Sequence, residues 1–156
     1  CRTPLDFVQH ARIDALAGRI NGAYADVDWA PIRYVNKGYK RDELAGVYRA
    51  ARVGLVTPLR DGMNLVAKEY VAAQRPEDPG VLVLSQFAGA ALQLREALVI
   101  NPFSQEDVAD ALHRALSMPL EERRRRWEAL MAEVTTNDVA AWRDRFVGDL
   151  EAVRAA

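Results

Sequence analysis

The chain is 156 residues long and half hydrophobic, with 21 Lys and Arg against 22 Asp and Glu and a formal net charge of −1. That is about one domain of sequence with enough apolar material for a core. It lacks the basic excess a nucleic-acid backbone demands and the run of about 18 apolar residues that would span a membrane. Cys1 is the only cysteine, which excludes an internal disulfide and a cysteine metal site. With no signal-peptide pattern at the start, the cytoplasm is the expected compartment. The opening Cys1-Arg2-Thr3-Pro4, without an initiator Met, reads as the start of a piece of something longer.

In chain order, residues 6–24 form a helical pattern, with Phe7, Val8, Ile13, Leu16 and Ile20 near a 3.6-residue period. Alternation over 31–35 predicts a short strand. Residues 41–51 predict a helix with Leu44, Val47 and Tyr48 on one face. The run 53–57 has no alternation, as in a strand of a sheet covered on both sides. A helix over 64–74, a Pro- and Gly-containing loop over 75–80, and a second continuous apolar strand over 81–85 follow. A short helix over 89–94 and a strand over 97–100 close this part, ended by Asn101-Pro102. From Ser104 only helices remain: 105–117, with acids in its first turn, then 120–135 and 138–155, separated at Pro119 and Asn137. Strands alternating with helices predict an α/β fold with a parallel sheet and right-handed crossovers. Four candidate strands are few for such a sheet, which again points to a missing opening.

The most informative stretch is 60–70, where an apolar strand empties into a Gly-containing turn and a helix begins at once. In open α/β sheets ligands bind beyond the carboxyl ends of the strands, and free N–H groups at a helix start attract anions. Gly62 lets the backbone turn tightly and approach a ligand closely. The amides of Met63, Asn64 and Leu65 then face one space, suited to a phosphate or to sugar oxygens. The carboxylate of Asp61 accepts hydrogen bonds and suits hydroxyls. Glu69, about one turn inward from Leu65, suits the cis-diol of a ribose. Hydroxyls at one end, phosphate in the middle and ribose at the other describe a nucleotide sugar. The same pattern also serves as a plain strand-to-helix connection, with Asp61 favouring the helix dipole and Glu69 solvated.

Other features read as structural. The glycine turn 85–91 is a second strand-to-helix connection at the same sheet edge. Tyr39 sits just before the 41–51 helix, near the end of the 31–35 strand, and is either a boundary aromatic or a residue whose ring or backbone meets a base. His10 and His113 lie in helices without a catalytic neighbour, and Ser85 lacks the surroundings of a nucleophile. The run 121–126 (Glu-Glu-Arg-Arg-Arg-Arg) reads as a solvated, self-paired face. Trp29, Trp127 and Trp142 read as packing residues. Asp61 and Glu69 lack a third acid or histidine in ligand spacing, so no metal site is expected.

The run GLVTPLRDGMNLVAKEY at 54–70 closely resembles the signature of the trehalose-6-phosphate synthase family, and GVLVLSQFAGAA at 80–91 resembles its second signature. GRING at 18–22 and the final Asn101-Pro102 fit too, so the resemblance spans nearly the whole chain. It implies a Rossmann-like sheet covered by helices, the C-terminal half of a GT-B glycosyltransferase. Residues 1–156 would be one N-terminally truncated donor-binding domain, with 104–156 its all-helical closing segment. The family moves glucose from UDP-glucose to glucose 6-phosphate with retention, giving trehalose 6-phosphate and UDP, and needs no metal or other cofactor.

By resemblance Asp61 is the catalytic-site carboxylate that receives the donor-glucose hydroxyls, and the amides of Gly62, Met63 and Asn64 contact the sugar. Leu65, Val66, Ala67, Lys68 and Glu69 lie along the diphosphate and ribose, with Glu69 on the ribose hydroxyls. Tyr39 matches a position whose backbone meets the uracil. Arg60 and Lys68 belong to the motif without an assigned direct contact. The family's acceptor hydroxyl attacks from the face that UDP leaves, and an Arg and a Lys outside this chain stabilise the departing diphosphate. The acceptor, glucose 6-phosphate, would bind through an N-terminal domain also outside this chain, so the piece alone is expected to be inactive. The last helix, with Trp142, Phe146, Leu150 and Val153 on one face, is expected to pack toward that domain or within a homo-oligomer. The same pattern would suit a non-catalytic nucleotide-sugar-binding module, or a related GT-B transferase with another nucleotide or acceptor.

Overall fold

The computed structural model describes residues 4–155 and divides into two units, Cys1–Tyr39 and Lys40–Ala156. The first holds helix α1, Pro4–Tyr24, followed by an irregular segment. The strand expected at 31–35 does not form. The Asn21 side chain instead accepts from the Ile32 N–H and donates to the Ile32 C=O, both at 2.9 Å, and so takes the backbone groups a sheet ladder would have used. Ile13, Leu16 and Ile20 stay partly exposed and Ala17 is buried; the side chains of Phe7 and Val8 lie outside the described residues. The His10 ring nitrogen takes hydrogen bonds from Tyr34 and Asn36, a structural use.

The second unit runs α2 (Arg41–Ala50), β1 (Val53–Val56), α3 (Leu65–Ala73), β2 (Val81–Ser85), a 3₁₀ turn at Gly89–Leu92, β3 (Leu98–Ile100), α4 (Gln105–Ser117), α5 (Leu120–Thr136) and α6 (Val139–Ala155). The strands form a parallel sheet in the order β1-β2-β3, with Val53 opposite Val81 and Val83 opposite Leu98. β2 is buried along its whole length, as its unbroken apolar run demands. Leu82 and Leu84 pack with Ala67, Tyr70, Val71 and Leu130 from α3 and α5. Val81 and Val83 face the other way, onto Ala115 and Met118 at the end of α4. Each such side chain contributes about 1.5–3 kcal/mol on leaving water, which makes β2 the spine of the unit. β1, expected to be covered on both sides, is only half-buried and exposes Leu55, because among the described residues it is an edge strand.

Close approaches fix the rest. The Tyr70 hydroxyl donates to the Ala51 carbonyl at 3.0 Å, and burial pushes this phenol up to about 12. A Cβ on Gly54 would lie 2.7 Å from the Tyr70 ring, so a bare backbone is needed there. Gln74 is buried but satisfied at both ends, donating to Tyr48 O and accepting from Gly80 N. Trp127 packs as expected and donates to Val71 O at 3.0 Å, whereas Trp29 and Trp142 are more than half exposed. Ser104 caps α4 through the Asp107 N–H, and the acids Glu106 and Asp107 sit in its first turn.

The arginine run is not wholly a solvated face. Arg124 and Arg126 do pair with Glu121 and Glu122 on their own helix. Arg123, however, is only 4% exposed and donates to Asp78 and to the Pro79 carbonyl, while Arg124 reaches Glu77 O. α5 thereby fastens the 75–80 loop. The Arg123 hydrogen bond, opposed by partial desolvation and helped by the charges of Arg52 and Arg124, holds the Asp78 carboxyl below its ordinary 3.8. Arg126 acts likewise on Glu122. A depressed carboxylate pKa contributes stability that is complete above the unfolded value and is lost as pH falls through the folded one. Thermal melts are therefore expected to be flat near neutrality and to fall below about pH 4. Asp78→Asn should lower the neutral melting temperature and flatten that acid slope; an unchanged slope would assign it to other groups.

Candidate functional site

Two turns meet at the carboxyl end of the sheet. The one after β1 carries Asp61, Gly62, Met63 and Asn64, and the one after β2 carries Phe87, Ala88, Gly89 and Ala90. A parallel bridge joins Asp61 to Ala88. The Asp61 N–H donates to Phe87 O at 3.1 Å, Gly89 N–H to Asp61 O at 3.3 Å, and Ala90 N–H to Met63 O at 2.8 Å. The second turn is thus a clamp on the first. Its own N–H groups at 89 and 90 are consumed in that role. Gly89 is required there, since a Cβ would lie 1.9 Å from Gly62 O. Ser85, fully buried, supports the clamp by accepting from the Phe87 N–H at 3.1 Å.

The left-handed backbone conformation of this turn lies at Asn64 and not at Gly62. No glycine among the described residues has positive φ, and Asn64 is the one non-glycine that does, at φ 73 and ψ 88. Asn tolerates this region better than most residues because its short side chain can bond locally. It does so twice: its oxygen accepts from Ala67 N–H at 2.9 Å, capping α3, and its nitrogen donates to Asp61 Oδ2 at 2.8 Å. Gly62 serves differently. A Cβ there would meet nothing within 4 Å, so its face opens outward.

The predicted site residues divide. Asp61, Gly62, Met63, Leu65 and Val66 are exposed at the turn and the start of α3. Among the described residues no acceptor occupies the N–H groups of Gly62, Met63, Asn64, Leu65 or Val66, while that of Ala67 is taken by Asn64. Ala67 is fully buried in the core beneath the turn and presents no surface. Met63, Leu65 and Lys68 line a cavity of about 420 Å³ with Gln93, Trp142 and Arg145. Glu69 turns the other way, into a groove of about 430 Å³ with Tyr48, Arg41 and Arg49. Burial first, and then the Glu69 charge, raise the Tyr48 phenol. Tyr39 belongs to the first unit, its ring half-exposed under the Lys37 ammonium at 4.9 Å. Gln93, Arg145 and the clamping role of 87–90 are not signalled by spacing in the sequence.

An array of unused amides beside a carboxylate can hold an anion with hydroxyls next to it. Among the described residues no group of His, Cys, Asp and Glu could hold a metal, and no helix is long and apolar enough to cross a membrane. The profile of glycosyltransferase family 20 matches residues 7–152. The trehalose-6-phosphate synthase of Sinorhizobium fredii is 60% identical over 136 residues, which are 87% of this chain and 29% of that protein. A solved structure from Burkholderia xenovorans, an α,α-trehalose-phosphate synthase (UDP-forming) in complex with glucose-6-phosphate, is 55% identical with a TM-score of 0.87, matching 91% of this chain and 32% of that one. An E. coli structure bound with UDP-2-fluoro glucose is 49% identical with a TM-score of 0.90, matching 95% of this chain and 33% of that one. The chain therefore spans about a third of the length of these proteins.

Proposed function

The chain belongs to glycosyltransferase family 20, and we propose that it forms the donor-binding part of a transferase that moves glucose from UDP-glucose to glucose 6-phosphate, giving trehalose 6-phosphate and UDP. One observation carries the reading: among the described residues no acceptor takes the five N–H groups at 62–66, which stand beside the Asp61 carboxylate on a turn clamped by a second turn. Such fixed donors need no rearrangement to receive a diphosphate. The similar proteins solved with UDP-2-fluoro glucose and with glucose-6-phosphate support the same substrates.

In this reading Asp61 accepts from the donor glucose, the amides from Gly62 to Val66 hold sugar and diphosphate, and Glu69 accepts from the ribose hydroxyls. Lys68 lies along the diphosphate and ribose. The acceptor hydroxyl attacks the anomeric carbon on the face that UDP leaves, and the protein works by holding both substrates in line. Glucose 6-phosphate binds through residues outside this chain. The protein acts in the cytoplasm, without a metal, nucleic-acid or membrane partner. Calorimetric titration of UDP and UDP-glucose tests the donor site; no heat from either, with a folded circular-dichroism spectrum, would count against it.

Glu69→Ala is the sharper test, because Glu69 lies in the α2-side groove apart from Met63 and Leu65. Each charge-assisted bond is worth about 1.5–3 kcal/mol. In the full-length enzyme the UDP dissociation constant is expected to rise at least about tenfold, with the affinity for glucose 6-phosphate unchanged. An unaltered UDP affinity would remove Glu69 from the ribose.

A further inference from the structure

We infer that the Asn64 side chain is a positioning device for the Asp61 carboxylate and, through it, for the sugar end of the donor; the inference rests on the donor-site reading above. An amide has one accepting and one donating end. The Ala67 N–H claims the Asn64 oxygen at 2.9 Å, so the nitrogen must point to the other side, where it meets Asp61 Oδ2 at 2.8 Å. The orientation is thus fixed by the backbone and not by the carboxylate. The positive φ of 73° brings the side chain back over its own turn so that both reaches are met at once.

Asp61 sits on an exposed turn, where a free carboxylate would sample several rotamers. With Oδ2 held by Asn64, the carboxylate is restrained and Oδ1, which has no partner among the described residues, is left for a ligand hydroxyl. Neither Asp nor Gly reproduces the arrangement. Asp supplies the acceptor for Ala67 but no donor, and sets a second negative charge against Asp61. Gly tolerates the positive φ but makes neither bond. Asn64 therefore acts on glucose recognition at one remove, without touching the reacting atoms by its side chain.

The test compares Asn64→Asp and Asn64→Gly with the parent in the full-length enzyme proposed above, measuring dissociation constants for UDP and for UDP-glucose between about pH 5 and pH 8. The informative quantity is the ratio of the UDP constant to the UDP-glucose constant. A new carboxylate repels UDP, with its terminal phosphate ionised, at least as strongly as UDP-glucose, so repulsion alone could only raise this ratio. At the alkaline end both variants should lower this ratio by about tenfold, the scale of one charge-assisted bond. As pH falls, the paired carboxyls of Asn64→Asp take up a shared proton, a donor toward Asp61 is restored, and the ratio should recover. Taken relative to the parent at the same pH, which removes the titration of the UDP terminal phosphate, the ratio for Asn64→Gly should stay flat. A residue that merely caps α3 would lower the melting temperature and leave both the ratio and its pH profile alone, which would overturn the inference while the donor-site reading stood. A parent enzyme that bound neither ligand would overturn that reading, and this inference with it.

Discussion

Gly89→Ala is expected to destabilise the chain by about 3 kcal/mol, the upper part of the usual range for forcing extra volume into a packed site. The added Cβ would fall 1.9 Å from Gly62 O and 3.0 Å from Gly62 C, which are backbone atoms that no rotamer change can move aside. For a chain of this size that corresponds to a melting temperature lower by roughly 6–12 °C. The clamp must open if the residue is accommodated, so the bonds from Gly89 and Ala90 to Asp61 and Met63 should be lost together. Donor affinity should then fall more than stability alone explains. Gly62→Ala is the internal control, since its Cβ enters open space and the position has no positive φ. It should melt within about 2 °C of the parent. Equal melting temperatures for the two variants would show that the turns are not joined as described.

Removing the carboxylate itself is expected to have the largest effect on activity. Asp61→Ala in the full-length enzyme should reduce kcat/KM for UDP-glucose about a hundredfold, near 2.7 kcal/mol of transition-state stabilisation. Free UDP lacks the sugar, so its dissociation constant should change less than threefold. Asp61 is exposed and its recorded side-chain bond is the one from Asn64; thermal stability should therefore drop by no more than about 1 kcal/mol. Steady-state kinetics beside a UDP titration separate these outcomes. A hundredfold loss of UDP affinity would show that Asp61 shapes the turn that holds the diphosphate and does not act through the sugar alone.

Much of this was legible in the residues. The unbroken apolar run of β2 could only be a strand covered on both faces, and Leu82 and Val83 are buried on opposite sides of it. The helix breaks at Pro119 and Asn137, and the acid-rich start at Ser104, fall where local chemistry dictates. Misreadings arose where a distant partner decided the outcome. Alternation at 31–35 mimics a strand, but a single asparagine 11 residues away took its backbone groups. Spacing favours Gly62 as the special turn residue because glycine is the usual solution; an asparagine with two local partners was the one used. Arg123 reads as one of four similar arginines, and only the loop it meets some 45 residues back separates it from its neighbours. The turn 85–91 reads as a connection at the same sheet edge, but its role as a clamp does not show, because a hydrogen bond between two turns leaves no periodic trace in either.

That fastening of the 75–80 loop has a consequence for biosynthesis. Asp78 and Pro79 lie between α3 and β2, yet the group that secures them arrives 45 and 44 residues later. On the ribosome the sheet can pair its first two strands as soon as β2 has emerged, but until α5 follows the link between them keeps only its bonds to Arg52 and Gln74. At roughly 5–20 residues per second that is an interval of about 2–9 s. During it the nascent chain exposes a half-covered β2 and a loop without its α5 bonds, which is the window in which a chaperone or a protease would meet it. Codon choices that slow synthesis between β2 and α5 would lengthen that window without altering a single contact in the finished protein.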